Sequence, residues 1–361
     1  MVGAKGIPAM HGGIERHVDE IAQRLVRAGH QVDVFTRPYH PVDAVFHEGV
    51  RLRRRWSIHT KHLDAATHTA WCVLEAILSQ RYDVLHVHGI GPGLFVPPRW
   101  LGLPCVFTYH AQDWRQRKWG RLARWSLQRG EQHAIRSAAQ VITVSRLLQD
   151  YVREQYQRQA HYIPNGAALP GPQGIDQLQS LSLQPGGYVL FVGRLIADRG
   201  VETLLEAFRT LPGRLRLAIV GEVHLSAEEM RALKDQADER VLFLGQQTGV
   251  VLQQLYAHAA FVVHPSRVEG MPIAVLEAMS HGRAVVVSDI PENLEAIGDA
   301  GLTFPVGDPV ALHQQMRFLL ENPQRGSELG VRARQRVEAC FDWDRIALQT
   351  ESVYHMAVQS R

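Results

Sequence analysis

Cysteine is scarce in this chain: three in 361 residues, at Cys72, Cys105 and Cys340. They are too few and too scattered for a disulfide framework or a Cys-x-x-Cys metal site, which suits a reducing compartment. No stretch approaches the roughly eighteen consecutive apolar residues of a membrane span. The opening MVGAKGIPAMHGG holds no apolar run long enough for a signal peptide. A cytoplasmic protein is the expectation. Low-complexity tracts and repeats at solenoid periods are absent, which excludes disordered and array architectures. No helix-turn-helix, zinc finger or stacked-aromatic motif occurs, so nucleic acid is not an expected partner. No G-x-G-x-x-G follows any strand, so neither a nicotinamide nor a flavin cofactor is expected.

What is present is an ordinary globular composition. With 45% hydrophobic residues over 361, two domains can each bury a core. After a helical pattern at 14–28, the apolar runs QVDVF, DVLHVHG, PCVFTYH, AQVITVS and AHYIP alternate with helical stretches near 61–80, 118–137 and 146–156. A second series runs YVLFV, LRLAIVG, VLFLG, AFVVHPS, AVVVS and GLTFP, with helices at 200–211, 226–238 and 249–258 between its earlier members. Short apolar strands alternating with helices predict α/β, doubly wound parallel sheets, twice over. Between the series lies AALPGPQGIDQLQSLSLQPGG, rich in Pro, Gly and Gln and therefore the expected boundary. The expected division is 1–166, a linker at 167–187, a second domain at 188–340 and a terminal helix at 341–361.

Charge divides along the same line. The formal net of +3 conceals 22 Lys and Arg against 13 Asp and Glu in residues 1–166, a net of +9, leaving −6 for the remainder. A basic first half suits an anionic acceptor or an anionic membrane face.

The stretch HPSRVEGMPIAVLEAMSHGRAVVVSD, residues 264–289, concentrates the chemistry. A buried-strand run ends in a Gly-containing turn, and Pro272 is placed for the first position of a helix beginning near Met271. The free amides and positive end of that helix make a seat for an anion beside Gly270. Glu269 and Glu277 frame the seat, and carboxylates so placed accept hydrogen bonds from sugar hydroxyls: Glu277 from a ribose, Glu269 from a sugar hydroxyl. After YVLFV, Arg194 and Arg199 flank a strand-to-helix turn. Fixed cations there neutralise charge growing on a diphosphate leaving group, unless they serve only as surface ion pairs. Gly12 and Gly13 open the first helix, a turn that either lets amides approach a phosphate or simply joins strand to helix. His86 and His88 share one strand face, and His110 closes a strand. Histidines at strand ends without a carboxylate cluster are read as core or cleft residues, and no metal site is expected.

EGMPIAVLEAM resembles the Glu-x7-Glu motif of family-4 retaining glycosyltransferases with the GT-B fold. GGIERHVDEIAQRLVRAGHQVDVFTR is similar to that family's first helix and second strand, FVGRLIADRGVETLLEAF to its diphosphate-binding strand and helix, and IPNG to its approach to the interdomain linker. The resemblance runs over nearly the whole chain. It implies GT-B, two Rossmann-like domains facing a cleft, with a nucleotide-diphosphate sugar held by the second domain as substrate and an acceptor by the first. It implies that the last helix crosses back to pack on the first domain. Donor contacts are carried onto Gly12, Gly13, Arg194, Arg199, Glu269, Gly270, Met271, Pro272 and Glu277, with His110 beside the donor sugar. The residues expected to act in transfer are His110, Arg194, Arg199 and Glu269. Arg199 stands where the family has lysine, keeping the charge but changing its geometry. Only Met1 and Val2 precede Gly3, where the family has several more apolar residues, so a start placed a few residues late is expected.

The segment WRQRKWGRLARWSLQR, residues 114–129, mixes cations with three tryptophans. It fits either a helix against anionic lipid headgroups or a solvated face with Trp125 in the core. The family often docks its first domain on membranes to reach lipid-linked acceptors, which makes Asp113, Trp114, Arg117, Lys118 and Arg121 the acceptor and membrane candidates. Asp113 is equally placed to cap a helix. Arg51, Arg53, Arg54 and Arg55 extend the basic patch or blunt an edge strand. Asp342-Trp343-Asp344 has the Asp-x-Asp form of a metal-holding motif, but at the opening of the last helix it reads as an N-terminal cap. The expected activity is therefore metal-independent transfer of a hexosyl or deoxyhexosyl group to a glycan or lipid-linked acceptor, by a front-face displacement. GIPAMHGGIE and HAQDWRQRKWG look most like the surface-polysaccharide, rhamnosyltransferase-like branch. A nucleotide-sugar epimerase and a non-catalytic binding protein share the shell. Glycogen-type chain extension is disfavoured here by the compact chain and its basic half.

Overall fold

The computed structural model describes every residue except His11, Lys61, His62, Lys118 and Arg361. Two compact units emerge: Met1–Asn165 with Trp343–Arg361, and Gly166–Asp342.

In the first unit, β1 (Asp33–Thr36), β2 (Phe46–His47) and β3 (Val50–Arg54) form a three-stranded sheet in the order β1-β3-β2. The strands β4 (Leu85–His88), β5 (Cys105–Tyr109), β6 (Gln140–Thr143) and β7 (His161–Tyr162) form a parallel sheet in that order. Two residues stitch the sheets together. Val2 bridges Val87 in parallel, donating to His86 O and accepting from His88 N at 2.9 Å each, while Met1 O accepts from Phe35 N at 3.1 Å. The chain therefore starts as a very short central strand, and Gly3 leaves it at φ 120°, where an added Cβ would meet His88 O at 2.2 Å.

β3 lies between β1 and β2, where at most an edge strand was expected of the arginines at 51–55, because four arginines in five residues mask the alternation of Val50 and Leu52. These two side chains face the core, while Arg53, Arg54 and Arg55 are tied to carboxylates at Asp33, Asp43 and Glu75. That ladder, interior to its sheet, absorbs most of the expected basic patch.

The helix Trp343–Gln359 belongs to the first unit. Trp343, 1% exposed, packs with Ile346 and Val353 into a cluster with Ile21, Leu25, Val106 and Ile142. Asp344 pairs with Arg24 at 2.6 Å, so the Asp-x-Asp stretch is built around a buried tryptophan.

The second unit carries β8 (Tyr188–Val192), β9 (Arg216–Val220), β10 (Val241–Gly245), β11 (Phe261–His264), β12 (Val285–Ser288) and β13 (Leu302–Phe304). All are parallel, in the order β10-β9-β8-β11-β12-β13. Numbered within the unit this is 3-2-1-4-5-6, the doubly wound order, whose switch point lies between β8 and β11. The core gathers Phe191, Phe208, Phe261 and Met316, each at most 2% exposed. Residues 167–187 fold into this unit too: the short helix Asp176–Ser180 buries Leu178, and Gln254 Nε2 donates to Asp176 Oδ1 at 2.7 Å.

Candidate functional site

Ligands of doubly wound sheets bind beyond the carboxyl ends of the strands at the switch point, and there the loops after β8 and β11 meet. Gly200, at φ 66°, lies so close that a Cβ would stand 2.3 Å from Pro265 O. This contact needs glycine on both counts, and it holds the Arg199 turn against the Glu269 turn. Arg199 donates to Val268 O at 2.9 Å and forms an ion pair with Glu269. Glu269 Oε1 also meets His264 Nε2 at 2.8 Å, and Ser266 Oγ lies 3.0 Å from the same nitrogen. Burial alone would push the Glu269 carboxyl up; the Arg199 charge and the bonds from His264 and Ser266 outweigh it and hold it down to about 2. Glu269 is therefore a permanent anion fixed by a permanent cation.

Arg194 differs. It is half-buried, and its guanidinium pairs with no described residue. Of the two cations expected at the diphosphate, one is committed to a glutamate and the other is uncommitted. Gly270, Met271 and Pro272 are buried in the turn that follows. The helix itself runs Ile273–Ser280, with Pro272 as its N-cap at φ −77°, ψ 96°. The expected start near Met271 with Pro272 as first helical residue is thus corrected: ψ at Pro272 is extended, and the helix opens one residue later. Glu277 lies on that helix, half-buried, accepting from Tyr256 Oη at 3.1 Å. Tyr256 is fully buried and its ring stacks on His281.

In the first unit, Gly12 caps the helix Gly13–Arg27 at φ 82°, and both glycines are exposed. Glu15 folds its carboxylate back over that turn, close enough that a Cβ on Gly12 would stand 2.3 Å from Oε2. Lys5 N donates to Glu15 Oε1 at 3.0 Å. His110 is 6% exposed and lies beside His88, whose Nδ1 is 3.1 Å from His110 Nε2, and beside His17. Burial drives the pKa of His17 down to about 4 and those of His88 and His110 well below the usual range, so all three are neutral at pH 7. His86 is a satisfied core residue, with Thr108 and Tyr354 hydroxyls 2.6 Å from its two nitrogens.

Asp113 opens a 3-10 turn, Asp113–Arg115, and accepts from Gln116 Nε2 at 2.7 Å, a local cap of that turn. The following helix, Arg121–Ser137, is instead capped by Gly120. Trp114 is half-buried, donating to Glu131, whereas Arg117 and Arg121 are exposed. Lys118 lies outside the described residues. Trp125 is not in the core: it is 55% exposed beside Leu122 at 80%, with Arg129 over its ring.

Sequence reasoning missed Glu131, which is 1% exposed and accepts from Tyr109, Trp114, Tyr151 and Tyr156. Its signal was position, since Glu131 shares a helical stripe with the buried Gly130, Ala134 and Ile135. His17, His264 and Tyr256 carry no local signal; only the fold brings them to the loops.

Two family models match the chain. Residues 11–169 match Glycosyltransferase Family 4, and residues 186–322 match Glycosyl transferases group 1. The chain belongs to the family-4 glycosyltransferases. Its fold is GT-B. The sucrose-phosphate synthase of Thermosynechococcus elongatus superposes with a TM-score of 0.82 at 26% identity, covering 95% of this chain and 93% of that one. A glycogen synthase of Mycobacterium tuberculosis is 28% identical over 98% of this chain and 93% of that protein. The D-rhamnosyltransferase WbpZ of Pseudomonas aeruginosa is 27% identical over 91% of this chain and 88% of its own length.

The two matched spans contain the sites described above. Gly12, Gly13, His110 and the 113–121 segment fall in the first, and Arg194, Arg199, Glu269 and Glu277 in the second. Compactness does not separate this glycosyltransferase from glycogen synthases, because the relative is of nearly equal length.

Proposed function

We propose that this glycosyltransferase moves a hexosyl or deoxyhexosyl group, with retention, from a nucleotide-diphosphate sugar to a hydroxyl of a glycan or lipid-linked acceptor in cell-surface polysaccharide synthesis. The observation that carries the reading is the loop pair at the switch point, where Arg199 is fixed on Glu269 and Arg194 has no partner among the described residues. A pre-set cation beside an uncommitted one, next to the opening of the helix Ile273–Ser280, receives the charge that develops on a departing diphosphate without a metal ion. Glu269, ionised throughout the working pH range, accepts from a hydroxyl of the transferred sugar. Glu277, steadied by Tyr256, accepts from the ribose. His110, neutral and nearly buried, contacts the donor sugar by its ring. The phosphate oxygen takes the acceptor proton as the new glycosidic bond forms on the same face.

On this reading the first unit holds the acceptor, through the segment from Asp113 to Arg121, Lys118 included. The exposed Leu122 and Trp125 among Arg121, Arg124 and Arg129 suit peripheral contact with an anionic inner membrane face. Among the described residues no helix is long and apolar enough to cross a membrane. The likeness to a D-rhamnosyltransferase supports transfer of a deoxyhexosyl group, and the likeness to a glycogen synthase makes a glucan end the competing acceptor.

The test begins with thermal shifts against UDP, GDP, dTDP and ADP in EDTA, since a ligand of the folded state raises the midpoint by mass action. One diphosphate should stabilise the protein without metal. Turnover of the matching donor then decides: product only with acceptor supports transfer, isomerised donor without acceptor indicates an epimerase, and binding without turnover indicates a non-catalytic protein.

A further inference from the structure

The carboxyl ends of β4 and β5 and the second turn of the helix Gly13–Arg27 bring three imidazoles together with no carboxylate among them. One ring nitrogen from each of His17, His88 and His110 lies within 4.8 Å of the others. We propose that these three side chains form a binding site for a borderline transition-metal ion, Zn²⁺ or Co²⁺, with a fourth position open to water or a small ligand.

The geometry fits such an ion. With metal–nitrogen bonds of 2.0–2.1 Å, three imidazoles on a tetrahedral centre have ring centroids about 5 Å apart and ligand nitrogens about 3.3 Å apart. The observed centroid separations are 4.9 Å for His17–His110, 5.4 Å for His88–His110 and 5.5 Å for His17–His88. His88 Nδ1 and His110 Nε2 already stand 3.1 Å apart. His17 closes the set by a small inward movement.

One further observation points to a ligand. His17 Nδ1 lies 2.9 Å from Asn165 Oδ1, and Asn165 is itself 4% exposed. A carbonyl oxygen on Nδ1 fixes the proton there and leaves the Nε2 lone pair facing the cluster, the outer-shell arrangement of metal-ligating histidines. Imidazole donors of this kind suit Zn²⁺, Co²⁺, Ni²⁺ and Cu²⁺ and not Mg²⁺ or Ca²⁺.

This site shares His110 with the glycosyl-transfer reading but not its diphosphate contacts, Arg194 and Arg199. Where His110 also serves a donor sugar, a bound ion removes it, and the ion inhibits.

The test uses tag-free, chelator-treated full-length protein titrated with CoCl₂, following the visible bands of four-coordinate Co²⁺. The expected result is one equivalent bound, displaced by ZnCl₂. His17→Phe should lower the affinity by more than the ~10- to 100-fold that loss of an outer-shell partner produces, and Asn165→Ala should fall within that range. His110→Asn, at the more exposed rim, is the second ligand variant should His17→Phe not fold, and circular dichroism establishes folding for each. Absence of the bands in wild type at saturating Co²⁺, or unchanged affinity in a folded ligand variant, overturns the site. Neither result depends on whether the protein transfers sugar.

Discussion

The indole Nε1–H of Trp114 donates to Glu131 Oε2 at 2.7 Å, fastening the loop after His110 to the inner face of the helix Arg121–Ser137. Tyr109 Oη donates to the same oxygen, while Tyr151 Oη and Tyr156 Oη reach Oε1 at 2.8 and 2.6 Å. Four neutral donors thus solvate a buried carboxylate, and no Arg or Lys bonds to it among the described residues. Burial, followed by the Glu131 charge, pushes Tyr151 up to about 12 and Tyr109 well above the usual tyrosine range.

Glu131→Gln keeps the volume but turns an acceptor into a donor facing donors. Hydrogen bonds to a charged group contribute about 1.5–3 kcal/mol each, and a buried group left unmatched costs a further share. The variant should lose about 3 kcal/mol in urea unfolding, and Tyr156→Phe about half that. A Glu131→Gln loss below about 0.5 kcal/mol would show that the four bonds contribute nothing net.

Arg194→Ala and Arg199→Ala should separate. Each removes charge stabilisation at the leaving group, so kcat/KM should fall about 10²- to 10³-fold in either, the range for removing one pre-set donor. Only Arg199→Ala strands Glu269, a buried carboxylate, and breaking such a pair costs about 3–5 kcal/mol. Arg194→Ala should unfold with the wild-type midpoint. Equal stability losses would mean that Arg194 has a structural partner, and unimpaired transfer in either variant would remove it from the donor site.

The acid limb of stability should carry the signature of Glu269. Its carboxyl titrates at about 2 in the folded protein against 4.5 ordinarily, so the unfolded chain binds the proton first as pH falls. The contribution is complete above about pH 4.5 and disappears as pH approaches 2, about 3 kcal/mol in all. In Arg199→Ala the largest cause opposing burial is gone, the carboxyl rises from about 2, and this part of the profile shrinks. Urea midpoints from pH 2 to 6 for both proteins test it; parallel profiles would sink the assignment.

The alternation of short apolar strands made the four-stranded and six-stranded parallel sheets legible in the sequence, and the strands YVLFV and VLFLG fall where the pattern puts them. Legible too were the residue types of the switch-point loops, because cations and glutamates next to glycine turns are local features. What the sequence did not show was pairing at a distance. Arg199 meets Glu269 across 70 positions, and His17 meets His110 across 93, contacts made only when parallel strands align their carboxyl ends. The strand Val50–Arg54 was hidden by its arginines, whose partners Asp33 and Glu75 lie in other elements. Trp343 looked like part of a helix cap for the same reason: nothing within ten residues reveals that it fills a core built from Ile21, Val106 and Ile142.

Trp343→Ala should therefore unsettle the first unit. Truncating a fully buried aromatic removes its transfer term and leaves a cavity, about 3–5 kcal/mol. The core of the second unit, built around Phe191, Phe208 and Phe261, contains no residue of the terminal helix. Amide hydrogen exchange should show protection lost in β4, β5 and β6 while β8, β9 and β11 retain theirs, and uniform loss across both units would contradict that division.

Tyr256→Phe isolates the role of Glu277. The substitution deletes one hydroxyl, which makes the 3.1 Å bond to Glu277 Oε2, and leaves the ring stacked on His281. A bond of this kind contributes about 1 kcal/mol, and a loosened ribose contact weakens donor binding equally in the ground and transition states. KM for the donor should rise about fivefold with kcat unchanged, since uniform binding affects KM alone. A fall in kcat at constant KM would instead place Glu277 at the reacting centre, and the two glutamates would have to exchange roles.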